Sequence, residues 1–346
     1  MPAKRTIALD AMGGDFGPDV VVPGAAISLT RQPLMQFVLF GDEAKIQPLL
    51  SRHAGMAAKS RIVHTTLAIA SNEKPSQAMR RGKGSSMWMA IEAVKNGEAS
   101  AVVSGGNTGA LMALAKLILR PLPGIERPAI AALWPTIRGE CIVLDVGANI
   151  GATSQQLTDF AIMGAAMARA LFHIEKPSVG LLNVGSEETK GADEVKEAHA
   201  WLKERDLPLT YHGFIEGDEI GRNTVDVVVV EGFAGNIALK TAEGTARQVG
   251  QYIKDAMGSS GLTKLGALLA RGGFKALKER MDPRRVNGGT FLGLNGIAIK
   301  SHGGSDALGF ASAIDLAYEM AESGLIERLN ADLATSQPMT PNAASN

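Results

Sequence analysis

Five times along this chain a short, unbroken run of β-branched and other apolar residues stops at a glycine-bearing loop, and a segment with helical spacing follows. Thr6-Ile7-Ala8-Leu9 leads into Asp10-Ala11-Met12-Gly13-Gly14-Asp15 and a helical stretch from Pro18. Ala101-Val102-Val103 leads into Ser104-Gly105-Gly106-Asn107-Thr108-Gly109 and a helix over 110–119. Val179-Gly180-Leu181-Leu182 leads into 183–191 and a charged helix through Lys203. Val227-Val228-Val229-Val230 leads into Glu231-Gly232-Phe233-Ala234-Gly235-Asn236 and a helix from Ile237, and Ile297-Ala298-Ile299 leads into 300–306 and a helix through Met320. Continuous apolar strands alternating with helices imply strands buried on both faces and joined by right-handed crossovers. The pattern predicts a three-layer α/β/α fold with a mainly parallel, Rossmann-like sheet. In such sheets the loops after the strands share a crevice, so the five loops are expected to converge on one site.

With 346 residues the chain can bury a large core, and one α/β unit over 1–330 is expected. Two segments stand apart. Residues 254–285 carry eight Lys/Arg against three Asp/Glu, with Leu262, Leu265, Leu268, Leu269, Phe274, Leu277 and Met281 at helical spacing. This reads as a helical projection over about 243–285. The last stretch, 331–346, is rich in Ser, Pro, Asn, Thr and Ala and reads as a disordered tail.

Composition excludes several function classes. Lys+Arg and Asp+Glu are 35 each and aromatics are 5%, so neither a global positive field nor a base-stacking surface favours nucleic acid. Cys141 is the only cysteine, sits in an apolar run, and reads as a small core residue; neither an intrachain disulfide nor a cysteine-based zinc site can be built. None of the six histidines lies three to five residues from another, so no metal-ligand spacing appears. The opening apolar run is too short for a signal-peptide core and no run is long enough to span a bilayer, so a cytoplasmic protein is expected.

The loops hold the candidate chemistry. A glycine-rich turn opening a helix exposes backbone N–H groups at the positive helix end, a ready anion site. Gly105, Gly106, Asn107 and Thr108 fit that role; the bland alternative is a tight turn that packs helix on sheet. Lys190 ends Ser186-Glu187-Glu188-Thr189-Lys190 and either faces an anion or pairs with Glu187 or Glu188. Gly235 permits close backbone approach, while Asn236 is either a donor or a helix N-cap. His302 and Gly303 lie in the last loop, the histidine binding or orienting an anion rather than moving protons. Asp10 and Asp15 read as loop-fixing carboxylates. Arg80, Arg81 and Lys83 form a compact cationic cluster, either solvated or suited to an acidic partner.

These loops resemble the acyl-acyl carrier protein:phosphate acyltransferase (PlsX) family. The matching motifs are Ile7-Ala8-Leu9-Asp10-Ala11-Met12-Gly13-Gly14-Asp15, Ser104 to Met112, Leu144-Asp145-Val146-Gly147-Ala148-Asn149, Glu187-Glu188-Thr189-Lys190-Gly191, Gly232-Phe233-Ala234-Gly235-Asn236 and His302-Gly303, in the family's order over about 5–325. The resemblance implies a fold related to phosphotransacetylases and isopropylmalate-type dehydrogenases, and a homodimer. It implies transfer of a fatty acyl group from acyl carrier protein to inorganic phosphate, with no metal or redox cofactor. The acyl phosphate would feed a membrane glycerol-3-phosphate acyltransferase. Lys190 and Asn236 carry over as catalytic, and Gly105, Gly106, Asn107, Thr108, Asn149, Gly235, His302 and Gly303 as substrate-binding. Arg80, Arg81 and Lys83 would grip the carrier protein or its phosphopantetheine phosphate. The basic, Leu-faced segment 257–281 suits either a peripheral contact with an anionic membrane or a dimer interface. Three positions depart from the family pattern: Gly105 replaces Ala, Gly151-Ala152 follows Ile150 in place of Asp-Cys, and Glu231 replaces Asp.

Such a transfer needs a fixed cation and amide donors, because an anionic nucleophile attacks while negative charge grows on the carbonyl oxygen. Alternatives are a CoA-dependent phosphate acyltransferase, a nicotinamide-dependent dehydrogenase, and a non-catalytic membrane scaffold. The dehydrogenase lacks support from a Gly-x-Gly-x-x-Gly after the first strand.

Overall fold

A computed structural model describes residues 5–280, 282, 284 and 286–335. Eleven strands form one sheet: β1 (Thr6–Asp10), β2 (Gln36–Gly41), β3 (Ser60–His64), β4 (Ala101–Ser104), β5 (Ala129–Thr136), β6 (Gly139–Leu144), β7 (Ser178–Leu182), β8 (Thr210–Ile215), β9 (Val227–Val229), β10 (Gly289–Leu292) and β11 (Ile297–Lys300). The helices before the midpoint are α1 (Pro18–Arg31), α2 (Glu43–Leu50), α3 (Ala54–Ala57), α4 (Pro75–Arg81), α5 (Ser86–Lys95), α6 (Thr108–Leu119) and α7 (Ser154–Phe172). After it come α8 (Asp193–Glu204), α9 (Gly232–Gly258), α10 (Gly261–Leu269), α11 (Arg271–Arg280), α12 (Ala307–Glu322) and α13 (Leu325–Thr335).

Successive strand residues face opposite sides of a sheet, and here both sides are covered. Ile7, Leu9, Ala101 and Val103 face a core shared with α1, α7, α8, α12 and α13. Ala8, Val102, Val143 and Val228 face a second core, with α5, α6 and the start of α9. Double burial is why the strands read as unbroken apolar runs, and the expected three-layer arrangement is what forms.

The strand order is β3-β2-β1-β4-β11-β10-β5-β6-β9-β7-β8. β3, β2, β1, β4 and β11 are mutually parallel, and so are β6, β9, β7 and β8. Between them β10 is antiparallel to both β11 and β5, and β5 is antiparallel to β6. The two parallel blocks therefore run in opposite directions. The loops after β1, β4 and β11 thus leave strands of one direction and form one group, and those after β6, β7 and β9 leave strands of the other and form a second.

The segment expected to project, 243–285, falls in α9, α10 and α11, with 281, 283 and 285 outside the described residues. Only Gly232 and Gly235 of α9 are buried, no residue of α10 is, and Leu262 and Leu269 are 84% and 81% exposed. The 27 residues of α9 make a rod of about 40 Å. The tail differs from expectation at its start. α13 continues through Thr335, with Leu329 buried and Asp332 ion-paired to Arg169; 336–346 lie outside the described residues. Among the described residues no helix is long and apolar enough to cross a membrane.

Gly164 lets α7 approach β9, since a Cβ there would collide with Val227. Gly164→Val should cost about 1–3 kcal/mol, the usual range for overpacking, read as a lower urea midpoint with an unchanged slope.

Candidate active site

Three neighbouring parallel strands end in register on polar residues: Asp10 pairs with Ser104, and Ser104 with Lys300. Ser104 Oγ donates to Asp10 Oδ2 at 2.6 Å and accepts from Gly106 N at 3.0 Å. Asp10 is 1% exposed and its Oδ1 has no hydrogen-bond partner. Burial pushes its carboxyl above the usual range, opposed by hydrogen bonds from Ser104, Ser86, Met12 and Gly13. Asp10 thus ties β1 to β4 and also holds its own loop through Met12 and Gly13. Asp15, by contrast, lies exposed at the pocket.

The loops beyond these strands close backbone to backbone. A Cβ on Gly13 would stand 2.8 Å from Gly106 N, and one on Gly14, where φ is +90°, 3.1 Å from Gly303 O. Asp15 N donates to Gly303 O at 2.9 Å. The resulting cavity, 380 Å³, is lined by Gly14, Asp15, Ile69, Ser71, 105–109, Lys300 and Gly303. The loops carrying Gly105, Gly106, Asn107, Thr108, His302 and Gly303 are therefore brought together.

Their roles within it separate. Asn107 Oδ1 caps α6 by accepting from Ala110 N, and its Nδ2 donates to Ser71 O and Glu73 O. Its carboxamide is committed to the fold. Thr108, in the first turn, is exposed, and its hydroxyl has no protein partner among the described residues. His302 is also exposed, and its Nδ1 accepts from Gly304 N at 3.1 Å, which leaves the neutral ring's hydrogen on Nε2.

Lys300 was the residue sequence reasoning missed. Its Nζ reaches Gly105 O at 3.3 Å and also Ser301 O. Burial pushes its pKa down to about 8; Asp10 and Asp15 oppose the shift, and Lys240 of α9 adds to it. A lysine closing an otherwise apolar strand beside two strands that end in Asp and Ser was the available signal.

The second group is built on Asp145. Oδ1 accepts from Ile130, Gly147 and Ala148 N, and Oδ2 from Asn149 N and Nδ2. Asn149 Nδ2 also donates to Pro128 O, so this buried side chain holds the loop. Gly232 and Gly235 carry α9 against that loop, with no room for a Cβ beside Asn149 O and Asp145 O. Glu231 caps α9 by accepting from Phe233 and Ala234 N, so the N-cap reading of Asn236 is corrected; the helix starts earlier than expected. Glu231 Oε2 accepts from Gly151 N as well, so two departures from the family pattern bond to each other. Asn236 is exposed and lies against Gly147, 3.3 Å from where its Cβ would be.

Lys190 lies in the adjoining loop after β7, which Asn183 pins by donating to Gly185 O and Lys190 O. Its Nζ pairs with Glu187 Oε1 at 2.7 Å, and that bond raises its pKa. Arg80, Arg81 and Lys83 are exposed at the end of α4, where they complement the helix dipole, and α4 packs on α6. Cys141 is buried and unpaired, its thiol pushed up to about 12 by burial. Among the described residues no cluster of three His, Cys, Asp or Glu could hold a metal ion.

The layered arrangement defines a class of fold, a mixed α/β fold with a mostly parallel sheet that solved phosphotransacetylases share. A phosphotransacetylase from Streptococcus pyogenes superposes with a TM-score of 0.60 at 19% identity, over 93% of this chain and 94% of that one. EutD phosphotransacetylase from Staphylococcus aureus gives 0.56 at 18%, over 94% of each. Within that fold, residues 5–328 match the family described as "Fatty acid synthesis protein", and the chain belongs to it. Relatives called phosphate acyltransferase include one from Afipia carboxidovorans, 62% identical over 95% of this chain and 94% of its own length. Another, from Rhizobium meliloti, is 59% identical over 98% of both. The family likeness is thus confirmed, and with it membership among acyltransferases.

Asp145→Ala would leave five N–H groups, three of them buried, without this acceptor. It should lower stability by at least about 3 kcal/mol, since each orphaned donor costs about 1–3. Asp145→Asn, with one acceptor oxygen, should fall between in the same urea titration.

Proposed function

We propose that this chain transfers a fatty acyl group from acyl carrier protein to inorganic phosphate, releasing acyl phosphate and the carrier thiol. The observation that carries the reading is the cavity at the start of α6, where turn amides and a half-buried cation offer a site for a small anion. Near-full-length similarity to phosphate acyltransferases supports it. Lys190 and Asn236 are the catalytic residues on this reading: Lys190 leaves Glu187 to meet the developing oxyanion, and Asn236 donates beside it. A preorganised donor of this kind acts on charge that grows only in the transition state. No covalent intermediate is needed. Arg80, Arg81 and Lys83, without ion-pair partners among the described residues, offer an acidic carrier protein a surface beside α6. The acyl phosphate passes on to a membrane glycerol-3-phosphate acyltransferase.

The exposed leucines of α10 support a contact made by the α9–α11 arm, either between two copies in a homodimer or with an anionic bilayer.

Incubation with acyl carrier thioester and phosphate should yield acyl phosphate and free thiol, with acyl-CoA a poorer donor. Lys190→Ala should lower turnover by about 10²–10³ while the chain stays folded; wild-type turnover would defeat the assignment. Leu262→Asp with Leu269→Asp should abolish dimers in sedimentation, or vesicle flotation if the bilayer is the contact. Retention of both would remove the arm from either role.

A further inference from the structure

Lys300 is the one charged group of the cavity that no motif assigns. An ammonium carries three N–H donors. Two meet the carbonyls of Gly105 and Ser301, and the third has no protein acceptor among the described residues. The side chain lines the cavity beneath the first turn of α6, where the Thr108 hydroxyl is also unpartnered. A half-buried cation whose donors are not all used, facing amides at a helix N-terminus, is built to receive an anion on both sides.

We propose that this cavity is the inorganic-phosphate subsite and that Lys300 is a catalytic residue, holding phosphate through its free N–H against the amides that open α6. The proposal deepens the acyl-transfer reading and rests on it. The loops of Gly14, Gly105 and Gly303 close the inner wall at backbone contact, and a small tetrahedral ion would sit against that wall. In the reaction a lone pair on a phosphate oxygen forms the new C–O bond. The C–S pair leaves with sulfur, and the proton of HPO₄²⁻ ends on that sulfur. Phosphate is therefore a dianion before transfer and acyl phosphate a dianion after it. Lys300 compensates charge throughout and is neither consumed nor covalently changed.

The charged groups facing Lys300 set how it responds to pH. Asp10 from β1 and Asp15 from the following loop favour the ammonium; Lys240 from α9 and burial disfavour it. His302, on its own loop, turns back onto Gly304. The empty site is thus balanced at about 8, and a bound dianion shifts the balance toward the ammonium. Anion affinity is greatest below that pH and falls as pH rises through it.

The test is calorimetric titration of the full chain with inorganic phosphate, and with sulfate, whose charge is constant over the range. Wild-type affinity for both should weaken as pH is raised through about 8. Lys300→Met should bind phosphate at least tenfold more weakly at pH 7 and lose the pH dependence, while Lys300→Arg recovers most of the affinity. In turnover, Lys300→Met should raise the KM for phosphate far more than that for the acyl donor. A folded Lys300→Met chain that binds phosphate within twofold of wild type overturns the proposal. So does a wild-type sulfate affinity that is flat across the range, which decides the matter if the variant does not fold. A wild-type chain that binds phosphate with this pH dependence yet makes no acyl phosphate supports the subsite and sinks the acyl-transfer reading.

Discussion

The alignment of Asp10, Ser104 and Lys300 at the ends of three adjacent strands is the constraint on which the cavity depends. Strands in one sheet lie about 4.8 Å apart, so residues in register are forced into contact range. Taking a carboxylate and an ammonium out of water costs several kcal/mol each unless other dipoles replace the solvent. Here the Ser104 hydroxyl serves Asp10, and the Gly105 and Ser301 carbonyls serve Lys300. Those carbonyls belong to the loops that wall the cavity. Solvating these charges and shaping the site are therefore one act, and Gly13 and Gly105 permit it by letting the loops touch without side chains between them.

The second loop group solves a similar problem with carboxylates alone. Asp145 gathers four backbone amides and one carboxamide, and Glu231 gathers the amides at the start of α9 together with that of Gly151. An aspartate at 231 would be one methylene shorter. The glutamate spans the cap and the Gly151 amide at once, and Gly151 adopts φ of +74°, a conformation open to glycine at little cost. The two departures from the family pattern thus meet in one hydrogen bond.

Strand and helix periodicity, and the glycine punctuation between them, were legible because double burial leaves such a strong mark in sequence. Direction was not. A strand buried on both faces reads the same whether its neighbour runs parallel or antiparallel, so the reversal through β10, β5 and β6 left no trace in apolar pattern. The turn that joins β5 to β6 contains Ile137-Arg138 rather than a hairpin dipeptide such as Asn-Gly. Side-chain roles were legible only in part. Asn107 and Asn149 look like donors for a ligand, yet they serve Ser71, Glu73 and Pro128, carbonyls brought in from distant loops. Lys300 was hidden for the opposite reason: it sits where a strand becomes a loop, and only the register beside Ser104 reveals its company.

The long helix α9 links the two groups physically. Its first turn is fixed against Asp145 by Gly232 and Gly235, and one turn beyond Asn236 it carries Lys240, whose charge acts on Lys300. A positive charge on α9 and a negative ion in the cavity push the ionisation of Lys300 in opposite directions. The far end of the same helix leads into the exposed leucines of α10.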